Sequence, residues 1–274
     1  MLVEYMIGKS LHSLMYIIGT AAMVIVSLCV RKRLGLKIWN SLLFTVVAFL
    51  SDGLGAFLMG KVYTAVVASL GGDGVSNYAI YGAVFLTPVL VMLSARVINQ
   101  PWRQILDMVA LGEMFARAFG KTGCIFFGCC WGFECDYGMY NYLQQKNMFP
   151  SPIFEAATML IIIFVGFMIL YKSKSYTPGC LYPIMSLLYA GTRFFWEFTR
   201  YYTSEAEKHL IMGMSLWQVC SIITVALSVL WLVGIKQDWL GKAKAYVEVK
   251  QAEKAEAERK ARAEKRRNKK KRKS

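Results

Sequence analysis

Seven stretches of this chain are apolar over close to the length, about 20 residues, that a helix needs to cross a hydrocarbon core. They fall at 11–30, 40–60, 77–98, 104–121, 152–171, 178–201 and 213–235. A chain with this pattern is expected to fold as an all-α, polytopic membrane protein with seven transmembrane helices. Composition agrees: 56% hydrophobic and 18% charged residues, with a mean hydropathy of +0.41, exceed what soluble domains carry, where apolar residues make up about half and charges about a quarter. The first stretch does not read as a cleavable signal peptide, because its basic cluster, Arg31, Lys32, Arg33 and Lys37, follows the apolar segment where a signal would have it in front.

Charge gives the orientation. Cationic short loops stay in the cytoplasm, and Arg31 to Lys37, Arg96 with Arg103, Lys172 with Lys174, and everything from Lys236 onward occupy alternate loops. The opposite loops hold Lys61, Lys146 and Lys208 among Asp73, Glu134, Asp136, Glu205 and Glu207. The N-terminus is therefore expected outside and the C-terminus in the cytoplasm.

The same count divides the chain into a transmembrane region, 1–235, and a basic cytoplasmic tail, 236–274. Of the formal charge of +15, the tail alone carries +10, from 16 Lys/Arg against 6 Asp/Glu. A charge so confined points to the anionic inner leaflet, worth about 1 kcal/mol per basic residue near that surface, and no nucleic acid is expected.

Ionisable residues inside the apolar stretches each need a partner or a wet cavity, since a bare charge there is unfavourable by at least about 2.5 kcal/mol. Glu113, Arg117 and Lys121 recur every fourth residue, as do Tyr189, Arg193 and Glu197, with Arg200 one turn on. Each set therefore lies on one helical face. Glu155 stands near the start of the fifth stretch. With the orientation above, all of them lie in the outer half of the membrane. Four bases, Arg117, Lys121, Arg193 and Arg200, face three acids, Glu113, Glu155 and Glu197, so an anionic ligand such as a phospholipid headgroup is expected, with arginine as its bidentate binder.

At 120–132 the chain reads G-K-T-G-C-I-F-F-G-C-C-W-G. Zinc sites favour C-x2-C pairs or nearby histidines, whereas this spacing is C-x4-C-C and the chain has only His12 and His209, so no metal is expected. A disulfide among Cys124, Cys129, Cys130 and Cys135 suits an outer face, with the pairing open. Gly120, Gly123 and Gly128, with Gly132, permit close backbone approach, which suggests a wall of a binding site.

These residues resemble the bacterial prolipoprotein diacylglyceryl transferases, whose signature is G-R-x-G-N-(x)3-G with a variant G-R-x-G-C-(x)3-G-C-C-x-G. F-P-S-P-I-F-E-A at 149–156 is similar to that family's H-P-x-Q-L-Y-E-A, and Y-A-G-T-R-F-F-W-E-F-T-R at 189–200 to its Y-(x)3-R-F-(x)2-E-F-x-R. M-G-M-S-L-W-Q at 212–218 and H-S-L-M-Y-I-I-G at 12–19 resemble two further family segments, in order. The chain departs from the pattern where the signature Arg falls on Lys121, its Asn on Cys124, the third-span His-Gly-Gly on Tyr81, Gly82 and Ala83, and the first-span Tyr on His12.

The resemblance implies a multi-pass protein of the bacterial plasma membrane that needs no cofactor. It further implies transfer of a diacylglyceryl group from phosphatidylglycerol to the lipobox cysteine thiol of prolipoprotein signal peptides, releasing glycerol phosphate. Attack at a saturated carbon requires a thiolate, in-line placement and stabilisation of the departing phosphate. Lys121 and Arg193 are the expected phosphate ligands, with Arg117 and Arg200 adding positive field. Tyr189 orients the headgroup or relays a proton, and His12 and Tyr81 are the candidate bases. Glu113, Glu155 and Glu197 hold the basic groups. The alternative is a phospholipid-binding paralogue that forms no bond. Transport is disfavoured by the lack of evident inverted repeats with broken helices, and thiol exchange by the lack of C-x-x-C.

Overall fold

A computed structural model describes residues 2–69, 78–174, 176–202 and 212–238. The described residues form seven helices and one small sheet. The helices are α1 (Leu2–Val30), α2 (Ile38–Ser69), α3 (Ile80–Val97), α4 (Trp102–Phe127), α5 (Ser151–Lys172), α6 (Leu181–Glu197) and α7 (Leu216–Lys236). The sheet pairs β1 (Glu134–Asn141) with β2 (Lys146–Met148), antiparallel and with an irregular register. The chain divides into two units, Met1–Val229 and Leu230–Ser274. In the second, the described residues are the end of α7 and two that follow. The expected tail from residue 239 onward lies outside the described residues, as does His209.

Five helices, α1, α2, α3, α5 and α7, are long and apolar enough to cross a membrane. The fourth and sixth expected spans do form helices, but neither meets that standard. α4 carries Asp107, Glu113, Arg117 and Lys121, and α6 is 17 residues long with Arg193 and Glu197 in its last turns. Packing explains why charged helices are tolerated. α4 contacts α1, α2, α3, α5 and α6, and every residue from Ile105 to Met114 is buried. Its polar groups therefore face protein on all sides, and the lipid-facing apolar surface belongs to its neighbours, as at Leu160 and Ile161 of α5, 56% and 64% exposed.

Two sets of contacts fix the start of α6. Pro88 inside α3 has no N–H for the carbonyl of Val84, four residues back, and that carbonyl accepts a hydrogen bond from the Tyr182 hydroxyl of α6 at 3.3 Å. Asp107 of α4 caps α6 from a distance. Its carboxylate accepts from the backbone N–H groups of Gly179 (2.7 Å), Leu181 (2.9 Å) and Tyr182 (3.1 Å), and from the Tyr176 hydroxyl (2.7 Å). A negative group at a helix N-terminus satisfies otherwise unpaired donors and complements the dipole.

The basic loops gather at this end. Arg33 donates to the Leu170 carbonyl at 3.0 Å, which ties the α1–α2 turn to the end of α5, and the Arg103 side chain packs against Gly179.

The β-hairpin at the opposite end corrects the all-α expectation. Asn141 organises it, donating to the Gly128 carbonyl at 2.8 Å and accepting from the N–H groups of Leu143 (2.9 Å) and Gln144 (3.2 Å). Phe133, Phe149, Phe154 and Trp196 then stack in succession at centroid distances of 5.5, 5.1 and 5.6 Å. The hairpin is thereby anchored to the start of α5 and the end of α6.

α2 and α3 cross where Gly55 meets Gly82. A Cβ on Gly82 would stand 1.8 Å from the Gly55 carbonyl oxygen, and one on Gly55 would stand 2.3 Å from that of Gly82. Gly82→Val is expected to destabilise by about 1–3 kcal/mol through overpacking, read as a lower thermal midpoint in detergent; an unchanged midpoint would contradict this crossing.

Candidate functional site at the hairpin end of α4, α5 and α6

The two four-residue repeats place their charges as helical geometry requires. Arg117 Nη2 donates to Glu113 Oε2 at 2.6 Å, and Arg193 Nη2 pairs with Glu197 Oε2 at 2.5 Å. All four residues are buried. The contacts between helices are what periodicity does not give. Glu155, at the start of α5, joins two bases from different elements: its Oε2 pairs with Lys121 Nζ at 2.6 Å and its Oε1 accepts from Arg200 Nη2 at 2.5 Å. Arg200 also donates to the Cys130 carbonyl, and Glu197 Oε1 accepts from the hydroxyls of Tyr202 and of Ser215, the latter at 3.0 Å.

The expected surplus of cation needs correction at one point. Asp52, inside the apolar run of α2, faces the Glu113–Arg117 pair and accepts from Thr87 at 2.6 Å. Adding it equalises the totals. Among the described residues the distribution remains uneven: Asp52 and Glu113 face Arg117, while Lys121, Arg193 and Arg200 meet Glu155 and Glu197. The hairpin end is therefore cationic by one charge, and the layer below it is anionic by one. A lone apolar-run aspartate was the signal that could have revealed this.

Tyr189 lies under Arg117, whose guanidinium carbon is 5.5 Å from the ring centroid. Its hydroxyl and Arg193 Nη1 are both buried and find no hydrogen-bond partner among the described residues. They line a narrow crevice, about 10 Å³ in volume and so roomy enough for about one water, which among the described residues runs between Glu155, Thr158 and Met159 of α5 and Tyr189, Thr192, Arg193 and Trp196 of α6. Trp196 Nε1 donates to Thr158 Oγ1 at 3.1 Å across it. Phe195 beside it is 70% exposed. Two buried donors without acceptors at the back of an interhelical slot form a place for an anionic or strongly accepting oxygen.

The remaining expected site residues fall elsewhere. Tyr81 is fully buried, its hydroxyl hydrogen-bonded to Ser221 and its ring stacked on Trp217 at 6.3 Å. It touches the site only through its ring, 6.2 Å from that of Tyr189. His12 sits on α1 between Tyr16 and Phe127, at 4.9 and 5.3 Å, beside the cysteines. The glycines are not the wall of the crevice. Gly123 backs onto His12 and Met15, Gly120 has only ordinary contact with Tyr16, and Gly128, at φ +79°, ends α4 in the left-handed conformation. Gly128 does border a second, open cleft of about 290 Å³, which also includes Cys129, Cys130 and Arg200.

Residues 6–234 match the family model described as prolipoprotein diacylglyceryl transferase. The chain is 23% identical over 173 residues to phosphatidylglycerol-prolipoprotein diacylglyceryl transferase 2 of Clostridium perfringens, covering 60% of this chain and 67% of that one. It is 25% identical over 130 residues to the similarly named protein of Clostridium tetani, covering 46% and 52%, and 25% identical over 171 residues to that of Campylobacter curvus, covering 61% of each. The match thus spans two thirds of the first relative and about half of the second. Five helices of crossing length, within a family found in bacterial membranes, make this a multi-pass protein of the bacterial plasma membrane. By a match that runs through nearly all of the described helices, the chain belongs to the prolipoprotein diacylglyceryl transferase family.

Proposed function

We propose that this protein transfers the diacylglyceryl group of phosphatidylglycerol to the lipobox cysteine of a prolipoprotein signal peptide. The observation that carries this is the pair of buried, unpartnered donors, Tyr189 Oη and Arg193 Nη1, in a slot between α5 and α6 flanked by lipid-facing side chains. The curated relatives are named for this reaction.

In this reading the membrane is crossed seven times, with α4 and α6 as the two sheltered spans. The basic loops gathered near Arg33, Arg103 and Leu170 face the cytoplasm, in keeping with the retention of cationic loops and with the contacts that join them. The hairpin and the N-terminus then face outward, and the tail of 236–274 lies against the anionic inner leaflet.

A headgroup enters laterally between α5 and α6, displacing the Thr158–Trp196 hydrogen bond. Arg193 and Tyr189 hold the phosphate, and Lys121 and Arg200 supply positive field while Glu155 keeps them in place. The peptide thiol gives its proton to solvent or a base, and the resulting thiolate attacks the glyceryl carbon. A carbon–sulfur bond forms as the carbon–oxygen bond to phosphate breaks, and glycerol phosphate leaves with the electron pair. Stabilising that oxyanion is the task of the arginine.

The alternative of a lipid-binding paralogue without turnover is favoured by Tyr81, whose hydroxyl is committed to Ser221. Purified protein given phosphatidylglycerol and a lipobox peptide separates the two. A mass gain on the peptide cysteine with release of glycerol phosphate supports transfer. Saturable lipid binding with neither product would overturn it.

Tyr189→Phe gives a finer test. The hydroxyl has no partner to lose, so the thermal midpoint is expected to stay put while kcat/KM falls by roughly 10–100-fold. Unchanged activity would remove Tyr189 from the site.

A further inference from the structure

Beside the charged cluster, three side chains from two helices and a turn bring soft donor atoms together. His12 of α1, Cys124 near the end of α4 and Cys129 just beyond it each offer one atom, and these atoms lie within 4.8 Å of one another. Cys130, the next residue after Cys129, brings a further thiol to this turn.

The backbone is shaped to produce this. A Cβ on Gly123 would stand 3.1 Å from His12 Cδ2 and 3.2 Å from Met15 Cβ, so glycine is what lets α1 come close enough to deliver the imidazole. Gly128 at φ +79°, its N–H bonded to the Cys124 carbonyl, and Cys130 at φ +65° are both left-handed. They turn the chain so that Cys129 and Cys130 fold back over Cys124. A non-glycine residue in that conformation is unusual. The C-x4-C-C run lacks a C-x2-C pair, and the imidazole arrives from more than a hundred residues away in sequence.

We propose that His12, Cys124, Cys129 and Cys130 bind one zinc ion, which clamps α1 to the turn after α4. Three thiolates and one imidazole suit zinc's tetrahedral preference, and each ligating thiol gives its proton to solvent on binding. Arg200 donates to the Cys130 carbonyl, which brings a positive charge beside this turn, where it favours thiolate over thiol. The open cleft bordered by Cys129 and Cys130 gives an ion its entry. The inference stands apart from the transferase reading, since it assigns the metal no part in the reaction.

The test uses the full chain in detergent, reduced with a phosphine, loaded with Zn²⁺ and dialysed. About one zinc per chain is expected by mass spectrometry. Co²⁺ in its place should show thiolate-to-metal charge transfer and the strong visible bands of a tetrahedral site. His12→Asn and Cys124→Ser should each weaken both signals, whereas Cys220→Ser should not. Because His12 is only half-buried, its variant should fold even if Cys124→Ser does not. Zinc retained equally by wild type and the His12→Asn, Cys124→Ser double variant would overturn the proposal. So would a failure to retain zinc, or a disulfide joining any two of Cys124, Cys129 and Cys130 in protein isolated without reductant.

Discussion

Arg193→Ala is expected to lower kcat/KM for diacylglyceryl transfer by on the order of 10²–10³, the range seen when one preorganised donor to a developing oxyanion is removed. Arg193 presents one guanidinium nitrogen to Glu197 and leaves the other, Nη1, buried and free in the crevice. The carboxylate holds the group while the free edge waits for an acceptor. Alanine also removes the nearest counter-charge of Glu197, leaving it Arg200 at 4.0 Å and two hydroxyls, and breaking a buried pair destabilises by up to about 3–5 kcal/mol, so lost activity alone would be ambiguous. Arg193→Lys resolves this. Lysine keeps the ion pair with Glu197 but has no planar fork to bridge carboxylate and phosphate together. It should melt near the wild-type midpoint and still lose most of its turnover. A fully active lysine or alanine enzyme would show that phosphate is held elsewhere.

A second large effect, this time on stability, is expected at the other end of α6. Asp107→Ala removes an acceptor shared by three backbone N–H groups and one hydroxyl in a buried setting. Loss of a helix cap is worth about 1 kcal/mol and each buried donor left without a partner about 1–3 kcal/mol. Partial relaxation should bring the sum to about 3–4 kcal/mol. Asp107→Asn, which keeps one good acceptor, should fall between alanine and wild type. Because Asp107 fixes the start of the helix that carries Tyr189 and Arg193, the alanine variant should also lose turnover, and thermal unfolding in detergent would record the stability change. A midpoint matching wild type would show that water can reach these donors.

Much of the site is legible along the chain because helical geometry is local. Glu113 with Arg117, and Arg193 with Glu197, are paired in the structure as the four-residue spacing requires, and Tyr189 shares a face with Arg193 in the crevice. Asp52 was hidden by its setting, a single acid within an otherwise apolar run. Asp107 was hidden because its partners lie between 69 and 75 residues away in sequence. The β-hairpin was obscured by a short, turn-rich segment whose register depends on Asn141 reaching Gly128.

The amino-acid sequence by itself determined where helices form, which charges share a helical face, and which family motifs recur in order, since each follows from side-chain periodicity or residue identity over a few turns. Only the tertiary structure decided that Glu155 serves both Lys121 and Arg200, that Tyr81 is tied to Ser221, and that His12 stands with the cysteines rather than with Arg193. Those outcomes depend on how closely helices approach and in what rotation, which glycine contacts and interhelical packing set and no local spacing encodes.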